Sequence, residues 1–130
     1  MDAKAIWYKA AKDNAGSASA VCLLTAQSLR EALGGSIPVG AVNSCVGGTP
    51  VEPWTPPSGS LYVQHIKPLL PMKFKAALWD QGERDEKTTN TTWYATEFPK
   101  MITGWRAAFM TPELPFVYVE ICHENGAEEP

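Results

Sequence analysis

The sequence predicts an α/β fold with a parallel sheet, and three observations lead to that class. Short apolar runs typical of buried strands alternate with segments whose apolar residues recur at helical spacing. Helical crossovers between such strands are right-handed, which makes the strands parallel and covers both faces of the sheet. Chemically suggestive residues follow the strand ends, where open α/β sheets bind ligands. With 130 residues and 45% apolar positions, residues 1–130 are predicted to form one domain around one core.

The first helix and the first strand are expected before residue 44. Apolar residues recur three to four apart from Ala18 to Leu33, with Ser17 as the expected N-cap and Gly34-Gly35 closing the helix. Residues 37–43 form a short apolar run bounded by glycines, which is typical of a buried strand.

The remaining elements follow in the order helix, strand, helix, strand. In sequence order they are a loop at 49–60, a helix at 61–69, a strand at 74–79, a polar loop at 80–92, a helix at 94–109 and a strand at 114–121. Pro99 is expected to kink or split the last helix.

Charge and composition exclude several classes of function. The net charge of -3 and the lack of any Lys or Arg run argue against nucleic-acid binding. No apolar stretch reaches the roughly 20 residues of a membrane span, and no signal sequence is evident, so we expect a soluble, non-exported chain without a membrane partner. The odd set Cys22, Cys45 and Cys122 fits neither a disulfide framework nor a zinc site, and is expected to be buried.

Two segments have patterns that core packing does not explain. Residues 42–54 read VNSCVGGTPVEPW, in which Gly47 and Gly48 follow the expected first strand and would let main-chain N–H groups approach a ligand. Residues 79–83 read WDQGE, in which Gln81 follows the second strand and could donate to a developing oxyanion. Taken singly, each is also an ordinary turn or polar loop.

Together these segments resemble the sialate O-acetylesterase family of SGNH-type carbohydrate acetylesterases. The family has S-x-G-G-T-P-[IV]-E-x-W followed by W-Y-Q-G-E, and this chain has SCVGGTPVEPW and WDQGE in the same order. The stretches SIPVGAVNS, HIKPLLPMKFKAALW, FPKMITGWRAAF and LPFVYVE are similar to the family as well, so the resemblance covers nearly the whole chain. It implies part of an SGNH-hydrolase-like, flavodoxin-like three-layer sandwich with a parallel sheet.

The resemblance also implies a reaction and a set of residues. The family hydrolyses acetyl esters of carbohydrates through a nucleophilic serine, without a metal or an organic cofactor. By this resemblance, Gly47 or Gly48 and Gln81 would form the oxyanion hole, and Glu83 would support them without touching the substrate. The expected substrate is an O-acetylated carbohydrate.

Several family residues have no counterpart in this sequence. The nucleophile of the family lies in an early G-Q-S-N block and its base in a late D-x-x-H-P block; both are expected outside this chain. Ser28, in Ala-Gln-Ser-Leu, imitates the first block but lies within the predicted helix and is expected to be structural. Asp80, Arg84 and Asp85 replace the family's Tyr, Ser and Asn.

Four alternatives remain open. Cys45 could act as a nucleophile with a histidine as its base. His123 is better placed for that role than His65, because His65 is expected to be a packed or surface residue. Glu52 with Glu83 could indicate glycosidase chemistry, although their separation is unknown. A noncatalytic domain could bind carbohydrate through the residues Trp54 and Trp79. The chain could also be an incomplete gene product whose sheet edge needs further strands.

Overall fold

Helices carry most of the regular structure in the computed structural model of this chain. The structure describes Trp7, residues 9–11, Gly16, residues 18–88 and residues 91–121. The chain divides into two compact units, Met1–Asn43 and Ser44–Pro130. The organisation of residues 1–130 as one domain stays a prediction.

The first unit contains helix α1, Ala20–Ala32, where the sequence predicts a helix. The side chain that caps it is Ser19, whose hydroxyl accepts the Cys22 N–H at 3.5 Å. The predicted cap, Ser17, lies outside the described residues. The end at Gly34-Gly35 is confirmed, since the Gly35 N–H returns to the Arg30 carbonyl at 2.9 Å.

The strand predicted at residues 37–43 is wrong. These residues are described and form neither helix nor strand. An apolar run becomes a strand only when its main-chain groups pair in a ladder, and Pro38 lacks the N–H that such a ladder would use. Apolar character alone was therefore a poor guide in this segment.

The second unit holds the sheet and the remaining helices. Its elements are a 3₁₀ turn at Glu52–Trp54, a π-helical turn at Tyr62–Ile66, a 3₁₀ turn at Lys67–Leu69, strand β1 at Ala77–Trp79, helix α2 at Glu83–Thr88, helix α3 at Thr91–Ala108 and strand β2 at Phe116–Tyr118. Both strands lie inside the predicted ranges but are shorter. The predicted helix at 61–69 is present as the two consecutive helical turns.

Strands β1 and β2 pair in parallel, as predicted. Ala77 lies opposite Phe116 and Trp79 opposite Tyr118. The Val119 N–H donates to the Trp79 carbonyl at 3.0 Å, so the carboxyl ends of both strands lie at one edge. The crossover between the strands is helical, which is the connection that a parallel pair requires.

One expectation for the crossover is wrong and another is wrong in part. Helix α2 occupies part of the predicted loop at 80–92, because its residues, ERDEKT, are mostly strong helix formers although they lack an apolar stripe. Helix α3 runs unbroken through Pro99, so the predicted split is wrong, while a kink there stays a prediction. Pro99 is exposed, and its carbonyl accepts a hydrogen bond from the Thr103 hydroxyl at 2.9 Å.

The core of the second unit is aromatic. Its buried apolar side chains are Val51, Trp54, Tyr62, Ile66, Trp79, Met101, Trp105, Phe109 and Leu114. The Trp79 ring meets those of Trp54 and Trp105 edge-on, each with centroids 5.9 Å apart. The Trp105 indole also donates to the Trp54 carbonyl at 2.8 Å, which fixes the 3₁₀ turn against α3. The contact between the Trp54 and Trp79 rings thus holds the 3₁₀ turn at Glu52–Trp54 against the last residue of β1.

Candidate functional site

The predicted site begins where β1 ends. Gln81 lies two residues beyond Trp79, and Gly82 then turns the chain into α2. The φ of Gly82 is 155°, and a Cβ there would lie 2.8 Å from the Ile121 Cδ1. The backbone conformation therefore favours glycine at this position, and a larger residue would also have to displace the end of the Ile121 side chain.

The second part of the site is the glycine turn, which we define as residues 46–49. The Thr49 hydroxyl closes it by donating to the Val46 carbonyl at 2.8 Å. Gly48 has a φ of 72°, which disfavours a side chain there. Gly47 and Gly48 are exposed, and their N–H groups form no hydrogen bond with another described residue.

Gln81 joins the two parts of the site. Its Nε2 donates to the Thr49 carbonyl at 3.0 Å, directly after Gly48. The same Nε2 donates to the Asp85 Oδ2 through a short hydrogen bond. An amide nitrogen carries two N–H donors, so both are engaged in this structure. Gln81 thus lies beside the glycine turn, while its direct donation to an oxyanion stays a prediction.

Asp85 is a site residue that the sequence did not reveal. It is only 2% exposed, and its Oδ2 also accepts the Val51 N–H at 3.0 Å. Its carboxylate therefore connects α2 with the segment that follows the glycine turn. No periodic signal marked it, because Gln81 lies two residues before α2 and the helical spacing of four residues does not apply to the pair Gln81 and Asp85.

Tyr94 completes the arrangement from α3. Its hydroxyl lies 3.1 Å from the Gln81 Oε1 and can donate to it, and it accepts the Trp79 Nε1–H at 3.4 Å. The hydroxyl also lies 3.3 Å from the Gln81 carbonyl. We call Thr49, Trp79, Gln81, Asp85 and Tyr94 the Gln81 network. It engages both polar atoms of the Gln81 side chain.

Comparison with known proteins places the chain in a family. The family model described as "Carbohydrate esterase, sialic acid-specific acetylesterase" matches residues 9–129. The chain belongs to this family. Similar proteins include the sialate O-acetylesterases of Pongo abelii and Homo sapiens, each 32% identical over 132 aligned positions that cover 79% of this chain. The match spans 25% of either relative, so the chain covers about a quarter of their length.

A solved acetylesterase supports the fold. The crystal structure of a carbohydrate acetylesterase from Xanthomonas citri superposes with a TM-score of 0.74 at 35% identity, covering 82% of this chain and 26% of that protein. The predicted α/β class with parallel strands and the predicted SGNH-type resemblance are confirmed. Within the described ranges, no helix is both long and apolar enough to cross a membrane.

In this member of the acetylesterase family, the other candidate acids and cysteines form no described hydrogen bond within the Gln81 network, although the charge of Glu83 acts on Tyr94. Glu83 and Glu52 are both exposed, in α2 and in the first 3₁₀ turn. Cys45 is exposed and Cys22 half-buried, so the expectation of buried cysteines is wrong for these two. Cys122, like His123, lies outside the described residues.

The aromatic side chains proposed for a carbohydrate cleft are part of the core. Trp54 is 3% and Trp79 8% exposed, which leaves no ring face for a sugar to stack on. His65 is half-buried, and its ring lies 5.8 Å from that of Trp54, between centroids. The expectation that His65 is a packed or surface histidine is confirmed.

The pH dependence of folding tests the burial of Tyr94. Burial raises the pKa of the Tyr94 hydroxyl above 10.0; the Trp79 hydrogen bond lowers it, and the charges of Asp85 and Glu83 raise it. The unfolded chain has a Tyr94 pKa of about 10, and the folded chain has a higher one. The contribution of Tyr94 to the free energy of unfolding is therefore fully present below about pH 10 and is lost as the pH rises through the folded-state pKa. Denaturant titrations at several pH values above about 10 should therefore show that the free energy of unfolding falls more steeply with pH in the wild type than in Tyr94→Phe. Parallel pH profiles would contradict this assignment.

Proposed function

We propose that this chain forms the oxyanion-binding side of a carbohydrate O-acetylesterase active site, acting on O-acetylated sugars of the sialate type. The observation that carries the proposal is the hydrogen bond from the Gln81 Nε2 to the Thr49 carbonyl. It joins the two segments that resemble the family, at the carboxyl end of a parallel strand, where α/β sheets bind their ligands.

The chemistry is acyl transfer through a tetrahedral intermediate. A serine oxygen attacks the acetyl carbonyl while a histidine takes the serine proton, and the carbonyl oxygen becomes an oxyanion. Collapse of the intermediate breaks the bond between the carbonyl carbon and the sugar oxygen, and that oxygen takes the histidine proton and leaves as a hydroxyl group. A water molecule that gives a proton to the histidine then attacks the acetyl-serine, and a second collapse releases acetate and returns the proton to the serine. The glycine turn and the adjacent Gln81 stabilise the oxyanion in both halves of the reaction.

The serine and the histidine of this mechanism are assigned to sequence outside residues 1–130. Two contacts support that assignment. The Ser44 hydroxyl donates to the main-chain carbonyl of His65 at 3.2 Å, not to a ring nitrogen. Among the described residues, His65 is the single histidine, and its ring packs against Trp54.

Turnover by the chain alone should be low. The oxyanion-binding groups stabilise a transition state but cannot replace an attacking group. Serine hydrolases without triad members retain roughly 10³–10⁴-fold catalysis over water, far below the intact enzymes. The assay compares residues 1–130 with a longer protein that includes the family's G-Q-S-N and D-x-x-H-P blocks, using an aryl acetate and an O-acetylated sialic acid.

Three results of this assay are informative. Turnover by the longer protein alone supports the proposal. Robust turnover by residues 1–130 that is lost in Cys45→Ala or Ser44→Ala would make that residue the nucleophile and overturn the assignment. Glycan binding without turnover by the longer protein would favour the noncatalytic alternative.

A further inference from the structure

Acidic side chains line the edge at which both strands end. Asp80 follows β1 directly, and Glu120 lies two residues beyond β2. Glu83 begins α2, and all three carboxylates are exposed. Because like charges repel, this edge disfavours an anionic ligand unless a cation offsets the carboxylates.

A sugar of the sialate type is itself an anion. It carries a carboxylate on the same sugar as the acetyl ester, and such a carboxylate is ionised at neutral pH. A group that binds this carboxylate must therefore lie within the length of one sugar from the place where the ester is cleaved. The segments of this chain that meet the requirement are residues 44–54 and 79–85, which the bond from Gln81 to Thr49 joins and which we call the site segments.

Arg84 is the single cation in the sequence of the site segments. It lies three residues after Gln81, as the second residue of α2, and its side chain is exposed. Asp85, the next residue, is buried and accepts hydrogen bonds from Val51 and Gln81, which fixes this turn of α2 beside the glycine turn. Successive helical residues point about 100° apart, so Arg84 leaves the helix on a different side from Asp85.

The guanidinium group of Arg84 suits a sugar carboxylate. It is planar and permanently charged, and it can donate two parallel N–H bonds to the two carboxylate oxygens. A neutral O-acetylated sugar offers no such acceptor, so the contribution of the guanidinium depends on the charge of the substrate. The family pattern has serine at this position, which makes the cation a feature of this chain.

We propose that Arg84 is a specificity-determining residue: it binds the carboxylate of an acidic O-acetylated sugar and so favours sialate-type substrates over neutral ones. The inference rests on the proposed function and deepens it by naming the part of the substrate that this chain recognises. The same contact offsets the repulsion from Asp80, Glu83 and Glu120.

The first test compares two substrates of the longer protein. One is an O-acetylated sialic acid, and the other is its methyl ester, in which the carboxyl group is uncharged. Acetate release by the wild type should give a kcat/KM about 10-fold higher for the acid, which is the effect of one hydrogen bond to a charged group. Arg84→Gln should lose this preference through a higher KM for the acid, because the contact is made in both the bound state and the transition state.

Two further variants make the first test specific. Arg84→Lys should keep part of the preference, since an ammonium group retains the charge but not the paired geometry. The matched control is Lys75→Gln, which removes an exposed cation two residues before β1, at the opposite end of that strand, and should keep the whole preference. A wild type that prefers the methyl ester, or an Arg84→Gln variant that still prefers the acid, would overturn the proposal.

The second test needs no turnover. NMR titrations of the longer protein with unacetylated sialic acid and with its methyl ester measure the two dissociation constants. The acid should bind about 10-fold more tightly than the methyl ester in the wild type, and Arg84→Gln should remove that difference. Equal affinities in the wild type, or no binding of the acid, would contradict the role of Arg84.

The two tests separate the two proposals. If the longer protein shows no turnover but binds the acid more tightly through Arg84, the esterase function fails and the carboxylate recognition stands. If it hydrolyses both substrates with no preference that depends on Arg84, the esterase function stands and the role of Arg84 is rejected.

Discussion

Replacing Asp85 with alanine is expected to lower the free energy of unfolding by about 3 kcal/mol. The change removes the acceptor of the Val51 N–H and of one Gln81 N–H, at a residue that is only 2% exposed. Each buried polar group left without a partner costs about 1–3 kcal/mol. Urea titration followed by tryptophan fluorescence measures the difference.

Two further variants make the Asp85 experiment specific. Asp85→Asn keeps one acceptor oxygen, so it should cost clearly less than Asp85→Ala. Asp80→Ala changes an exposed carboxylate five residues earlier, where a surface substitution stays within about 0.5 kcal/mol. Equal free energies of unfolding for Asp85→Ala and Asp80→Ala would show that the buried Asp85 carboxylate does not hold the segment around Val51 in place.

The sequence predicted the parts of the fold that depend on local periodicity. Helices α1 and α3 and the parallel strands β1 and β2 were found, because each combines apolar spacing with a cap or a turn signal. The missed strand has a clear physical cause. Residues 37–43 have the composition of a strand, but a strand also needs a partner, and pairing is a property of the tertiary structure.

The assignment of Gly47, Gly48 and Gln81 to an oxyanion hole stays a prediction. The motifs placed these residues at two expected strand exits, and the structure links Gln81 to Thr49, the residue after Gly48. The burial of Asp85 was not predictable, because a charged run normally marks a solvated face. The Asp85 carboxylate is tolerated in the interior because its Oδ2 accepts the main-chain N–H of Val51, 34 residues earlier in the chain. A hydrogen bond between residues so far apart in the chain produces no periodic pattern in the sequence.

Trp79 connects the aromatic core to this polar network. Its ring packs edge-on against Trp54 and Trp105 and stacks with Phe98 at 6.0 Å, between centroids. Its indole N–H supplies the first hydrogen bond of the chain that runs through Tyr94. A substitution at Trp79 therefore affects both the packing of the unit and the orientation of Gln81.

Trp79→Ala is expected to lower the free energy of unfolding by about 3–5 kcal/mol, because it removes a large buried side chain whose neighbours fill the cavity only in part. The aromatic pairs add about 0.5–1.5 kcal/mol each beyond burial, which favours the upper end of that range. Trp7→Ala is the matched control, since Trp7 is 65% exposed and its loss should matter little. Guanidinium titration monitored by far-ultraviolet circular dichroism measures both variants without depending on tryptophan emission. A loss for Trp79→Ala no larger than that for Trp7→Ala would mean that the ring cluster is not the core of this unit, and the anchoring of the site through Trp79 would then have to be abandoned.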